Sequence, residues 1–275
     1  MHYDIVQGSA IKLPASRSRL SRVLRASKDV VSVEVVSKTL DVDRRRAAEI
    51  LSRWQRQGWL QRVGPGLYAP VPLDLAESEQ VVADPWVLVP ALFGDSYIGG
   101  WTAAHHWELT EQLFKDTLVF TTRRIVKKCV AAQGVTFVPR HVSRASLFGL
   151  KTLWRGSTKV SISDAPRTLI DMLAAPEVGG GIDHAVDCVT AYLKTTDANR
   201  DTLIRYGERL ANGAVFKRLG YLAENVFHDP VLVDACRTRL TQGYARMDPT
   251  LSSSRLVTRW KIWVPNHWSK SASDR

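Results

Sequence analysis

Between residues 33 and 57 the apolar positions recur at helical spacing, and polar caps divide the stretch into two short helices. The first spans 33–40 and opens at Ser32. The turn Asp41-Val42-Asp43 follows. The second spans 44–57, opens at Asp43 and closes at Gly58. At 100° per residue, Ala47, Ile50, Leu51 and Trp54 of this second helix fall on one stripe. Arg45, Ala48, Glu49, Ser52 and Arg56 lie opposite it, with Arg46 and Arg53 flanking one edge and Arg44 the other. Two short strands around Gly64-Pro65-Gly66 complete the run. Upstream, 14–26 reads as a further helix with Leu20, Val23 and Leu24 on its apolar side, and 1–13 reads as an arm.

The order helix, turn, helix, hairpin over 31–68 predicts a winged helix-turn-helix. Pro70 and Pro72 then break regular structure, and LDLAESEQVVAD is polar and acidic, so the chain divides into 1–75 and 76–275. Beyond the boundary the texture changes. Segments 84–93 and 101–108 read as helices, 84–93 as a buried one. Segments 118–121 and 135–138 read as strands, and 150–162 as a hairpin turning at Arg155-Gly156-Ser157. Helices are expected at 166–173, 184–194, 199–211, 214–225 and 231–240, with Gly179-Gly180-Gly181 as a loop. A last strand spans 257–264, with Trp260, Ile262 and Val264 on its core face and Trp263 under a neighbouring helix. The predicted class is α+β: a winged helix-turn-helix, then a larger mixed domain with a small sheet and a mostly helical second half.

Charge sharpens this picture. The 275 residues carry a formal net charge of +11, which points to an acidic partner. Residues 1–70 hold 13 Lys and Arg against 6 Asp and Glu, and the remaining 205 hold 25 against 21. The excess concentrates in the N-terminal module, as expected of a double-stranded DNA binder. In a major groove the arginine face of 44–57 supplies fork-shaped donors. Arg45 is placed for a base edge. Ser52 is placed for a base or phosphate, and Ala48 is small enough to let the groove floor approach. Arg53 and Arg56 are placed for backbone phosphates, and Arg44 and Arg46 stand at the edges of the face. Arg62 belongs to the wing. Lys38 and Ser32 belong to the preceding helix, whose N-terminus suits a phosphate. A helical pair with a hairpin also serves protein–protein contacts, and an arginine face is also a solvated face.

Other chemistry finds less support. Cys129, Cys188 and Cys236 are far apart, which argues against a zinc ribbon or disulfide scaffold and suits a reducing cytoplasm. The N-terminus lacks a secretory apolar core, and the longest apolar run is too short for a bilayer. His105 and Glu108 share a helix face near His106 and Glu111, but no third and fourth ligand follow, so no metal or cofactor is expected. A Mg²⁺-dependent nuclease needs an acid and then acid-x-Lys on the next strand. The strands read as TLVFTT, VTFV and TRWKIWV carry no carboxylate. The glycine triplet lacks a following Lys-Ser/Thr, and Ser161 and Ser163 sit in no nucleophile elbow. Trp260, Trp263 and Trp268 beside Arg255, Arg259 and Lys261 suit a core strand with a secondary phosphate-contacting face better than a base-stacking platform.

Four blocks resemble one family in the right order: GWLQRVGPGLYAPV (58–71), SYIGGWTAAHHWELTEQ (96–112), KVSISDAPRTLIDML (159–173) and FKRLGYLAE (216–224). They are similar to the AbiEi antitoxins, transcriptional regulators of bacterial abortive-infection toxin–antitoxin pairs. The resemblance implies a winged helix-turn-helix and a C-terminal domain for contacts and multimerisation. It also implies repression of the protein's own operon. A nucleotidyltransferase-type toxin would be the genetic partner, neutralised without a stable complex. The N-terminal arginines of 44–57 depart from the family pattern, so base preferences do not carry over. Two other readings stay open: a DNA-tethered nuclease or modifying enzyme, and a direct toxin-binding neutraliser.

Overall fold

The computed structural model describes residues 14–27, 29–72 and 83–269; the arm expected over 1–13 lies outside them. The N-terminal unit runs α1 (Ala15–Ala26), β1 (Val31–Ser32), α2 (Val33–Leu40), α3 (Arg44–Arg56), β2 (Leu60–Gly64) and β3 (Leu67–Pro70). Its sheet has the order β1-β3-β2, all antiparallel. The helices and wing stand where the apolar pattern puts them. The short strand β1 is an addition. Val31 pairs with Tyr68 and Ser32 with Leu67, so the residues leading into α2 also close the wing sheet. The stripe Ala47, Ile50, Leu51 and Trp54 is buried with Val23, Val31, Val36, Leu60 and Tyr68 in one small core.

The second unit opens with a 3₁₀ turn, Pro85–Leu88, and the short α4 (Val89–Phe93). One continuous helix over 84–93 was expected. Pro90 has no N–H to give the carbonyl four residues back, and Val89 N–H instead closes a tight turn onto the Trp86 carbonyl. Then come β4 (Ser96–Ile98), α5 (Gly100–His106), β5 (Asp116–Thr121), β6 (Val130–Ala132), β7 (Val135–His141), β8 (Leu150–Arg155) and β9 (Thr158–Ser163). These strands form a six-stranded sheet ordered β6-β7-β5-β4-β9-β8. The β5–β7 and β4–β9 neighbours are parallel and the others antiparallel. This sheet is larger than expected because β4 and β6, three residues each, are too short to show alternation.

Both faces of the sheet are covered, and successive residues alternate between them. Ile98, Val119, Phe137, Val160 and Ile162 face one core. Tyr97, Leu118 and Phe120 face another, against Val178. The first core also takes in Val63 and Ala69 of the wing strands. The winged unit is therefore packed on the sheet through the face of its own wing.

The helical half comprises α6 (Ala165–Ala174), α7 (Ile182–Leu193), α8 (Arg200–Leu210), α9 (Gly213–Leu222) and α10 (Pro230–Arg237), around the largest apolar cluster. α9 runs on into a wide π-type turn, Ala223–Phe227. A three-stranded sheet ends the chain, formed by β10 (Ala245–Arg246), β11 (Ser253–Val257) and β12 (Ile262–Pro265) in the order β10-β12-β11.

The single strand expected over 257–264 is instead β11, a 3₁₀ turn at Thr258–Trp260, and β12. The turn drives the fully buried Trp260 ring against Gly220 of α9, where a β-carbon would stand 2.0 Å from the ring. Trp260, Ile262 and Val264 are core residues, as read from the pattern. Trp263 is not under a helix. It lies on the opposite face of β12 and is 36% exposed.

Candidate nucleic-acid interface

The Asp43 carboxylate accepts the Arg46 backbone N–H at 2.8 Å and caps α3. Gly58, at φ +72°, lets the chain leave the helix and enter β2. With the apolar stripe fixed against α1, α2 and the wing, the opposite face of α3 is uncovered among the described residues. Arg45, Ala48, Glu49, Ser52, Arg53 and Arg56 line an open hollow of about 540 Å³ on that face. These are the residues the helical wheel assigned to the outer face, with Arg53 drawn in from the edge. Among the three arginines that open the helix, side-chain exposure is 76% for Arg44, 92% for Arg45 and 51% for Arg46.

Two glutamates hold part of this charge in place. Glu49 lies 2.8 Å from Arg46 and 3.7 Å from Arg45. Glu34 of α2 lies 3.7 Å from Lys38 and 3.9 Å from Arg44. Exposed pairs of this kind contribute at most about 1 kcal/mol, so a phosphate can displace the carboxylate from any of them. Arg56 Nε donates to the Ser52 carbonyl at 3.4 Å, which lays the side chain along the helix. In the wing, Arg62 Nε donates to the Gly64 carbonyl at 3.2 Å. The Ser32 hydroxyl accepts the Val35 N–H at 3.2 Å, so this side chain caps α2. Arg44, Arg45, Arg46, Ser52, Arg53 and Arg56 thus share one helix. Lys38 stands on α2, Ser32 caps that helix from the end of β1, and Arg62 stands on β2.

The winged unit is also clasped to the second unit. Asp29, just after α1, accepts from the Thr158 hydroxyl at 2.7 Å and the Ser157 hydroxyl at 3.2 Å, both at the β8–β9 turn. Sequence reasoning did not single out Asp29, because a lone aspartate after a helix carries no sign of its distant partner.

The other constellations look different in three dimensions. His106 packs edge-on to Trp86 and Trp107, and burial with the nearby Arg155 and His105 charges pushes its pKa down. Among the described residues no group of three or more His, Cys, Asp or Glu is placed to hold a metal ion. β5 begins at Asp116, so one of the central strands does carry a carboxylate, contrary to its expected bounds; no acid-x-Lys follows on β7. All three cysteines are free: Cys129 exposed, Cys188 and Cys236 buried. Near the C-terminus, Arg259 is paired with Glu224 and Lys261 Nζ donates to the Thr241 carbonyl at 3.4 Å. No helix among the described residues is long and apolar enough to cross a membrane.

No curated protein matches the sequence. A crystal structure of the RV2827C protein from Mycobacterium tuberculosis shares the fold, with a TM-score of 0.61 at 16% identity over 92% of each chain. Residues 18–71, from within α1 to the end of the wing, match the family described as transcriptional regulator, AbiEi antitoxin. The winged helix-turn-helix is therefore similar to that of the AbiEi antitoxin family of transcriptional regulators.

Proposed function

We propose that the protein is a DNA-binding repressor and antitoxin that binds inverted repeats in the promoter of its own toxin–antitoxin operon. The observation that carries this reading is the outer face of α3. Its arginines project into solvent from a helix whose other side is locked into a core. Such a face meets the major groove with donors for guanine edges in its middle and for phosphates at its margins. The glutamates beside it are displaceable, and the wing supplies Arg62 at the flank. On this reading the protein works in the cytoplasm without catalysis and without a cofactor. Its genetic partner is a nucleotidyltransferase-type toxin with which it forms no stable complex. The C-terminal unit serves contacts between copies on DNA.

Footprinting of the full chain on the DNA upstream of its own gene tests the proposal. Protection of an inverted repeat overlapping the promoter is expected. Protection spread evenly along the fragment, or none at low salt, would overturn the operator-specific reading.

A further inference from the structure

We propose that the loop joining β5 to β6, residues 122–129, is a second phosphate-contacting element that lies beside the wing and lengthens the DNA footprint. It rests on the DNA-binding reading of α3 given above.

The first observation is a charge pattern that the split at residue 70 concealed. Residues 117–163, which supply β5 to β9, hold nine Lys and Arg and no Asp or Glu. What remains, 71–116 and 164–275, holds 16 Lys and Arg against 21 Asp and Glu. The near balance of the second unit thus hides a strongly basic sheet segment and an acidic remainder. The signal was present in the sequence as an acid-free run of 47 residues.

The second observation is how the loop is held. Thr122 N–H donates to the Asp95 carbonyl at 3.1 Å, Arg123 N–H to the Thr121 hydroxyl at 3.0 Å, and Arg123 Nη1 to the Leu92 carbonyl at 3.2 Å. Ile125 packs on the core below. Arg124, Lys127 and Lys128 are turned outward and exposed, and no ion pair involves them among the described residues. An anchored loop presents three free cations at a lower entropic cost on binding than a slack one.

The third observation is position. Leu92, which receives Arg123, packs directly on Gly64 of the wing. The far end of the loop leads into β6. There Ala131, Gln133 and Gly134 face Gln61, Arg62 and Pro65 of the wing across an open cleft of about 560 Å³. Lys128 is three residues from Ala131, at most about 10 Å of chain. Both ends of the loop therefore flank the wing, the element that runs along the DNA backbone in this class of reader. A polyanion lying along the wing meets these cations next. Duplex DNA is the polyanion that α3 already implies.

The test is a salt titration of duplex affinity by anisotropy with the full chain. It compares the wild type, the combined Arg124→Ala, Lys127→Ala, Lys128→Ala variant, and the charge-keeping Arg124→Lys, Lys127→Arg, Lys128→Arg variant. The probes are a duplex carrying one half-site of the footprinted repeat with its natural flanks, and versions shortened by about one helical turn, about 10 bp, on either side of that half-site. On the long duplex the alanine variant is expected to lower the slope of log affinity against log salt by about 2–3, close to one for each phosphate that is no longer neutralised. Base preference should be unchanged, and the charge-keeping variant should behave as the wild type. On one of the shortened duplexes the difference should vanish.

A wild-type slope and affinity in the alanine variant overturns the proposal while leaving the α3 reading intact. An equal loss on all duplexes removes the loop from the flank and also overturns it. A wild-type chain with no salt-dependent duplex affinity refutes the α3 reading itself.

Discussion

Arg45 is more exposed than either neighbour at the start of α3, and it lies on the outer face opposite the buried stripe. Arg56 is back-bonded to the helix at its far end. The two should therefore fail differently. Arg45→Ala is expected to cost about 1–3 kcal/mol on the operator and to relax base preference, whereas Arg56→Ala should weaken all sequences alike. Competition titrations with operator and scrambled duplexes check this, and equal loss of discrimination in both variants contradicts the assignment. The faces of these residues were legible because a helix of 13 residues fixes them by periodicity. Their counter-ions were legible only in part, since Glu34 reaches Arg44 across two helices. The surroundings of His106 were not legible for a related reason: Trp86 and Arg155 are distant in the chain. Its folded pKa lies below the ordinary 6.5, chiefly through burial. As pH falls through 6.5 the unfolded chain takes up the proton first, so the fold loses stability until the folded value is passed. Thermal melts at about pH 7.5 and pH 5.5 should show a smaller difference for His106→Gln than for the wild type. An unchanged difference would remove His106 from the acid response.

Elements follow the same logic with different reach. α2, α3 and the wing announce themselves through caps, an uninterrupted 3.6-residue stripe and a Gly-Pro-Gly turn. β4 and β6 announce nothing, because three residues cannot show alternation, and their place is set by the strands between which they insert. The expected strand over 257–264 failed at Trp260. The alternation was real, and so was the burial of Trp260, Ile262 and Val264, but a large ring needed a recess and the chain turned to deliver it. That recess is Gly220. A β-carbon there would stand 2.0 Å from one ring atom and 2.5 and 2.6 Å from two others. The Trp260 indole N–H also donates to the Glu224 carboxylate at 2.5 Å, so the ring cannot simply swing away. Gly220→Ala should therefore cost about 1–3 kcal/mol or more through overpacking, despite the better helix propensity of alanine. A urea midpoint equal to that of the wild type would show that α9 and the terminal sheet separate more easily than this packing implies.

At the scale of the whole molecule the winged unit is not an appendage on a tether. Val63 and Ala69 of its wing are buried in the core of the six-stranded sheet, and Asp29 is bonded to the β8–β9 turn. Periodicity reveals that a strand has an apolar face, but not which distant surface covers it, so this docking could not be read from the chain. Residues 1–80 made alone should still bind duplex DNA with steep salt dependence, because α3 and its own core are local to them. They should bind more weakly than the full chain, without the cover of Val63 and Ala69. A folded fragment without salt-dependent affinity would show that the second unit makes the site. The docking also bears on cooperation between copies. One winged helix covers too little DNA to be selected against the many competing sites of a genome. Two heads on a symmetric site multiply their discrimination, and a dimeric reader mirrors its symmetry in its operator. For two heads to be held at a fixed spacing, each must be rigid with respect to the part that carries the contact between copies. The shared core and the Asp29 clasp provide that rigidity here. Full-length chain titrated on DNA with one half-site and with two should therefore show affinity for the second site above independent occupancy. Asp29→Ala should reduce that excess more than it reduces affinity for a single half-site. If two half-sites fill independently, cooperative repression is refuted, and the second unit must act on something other than a neighbouring copy.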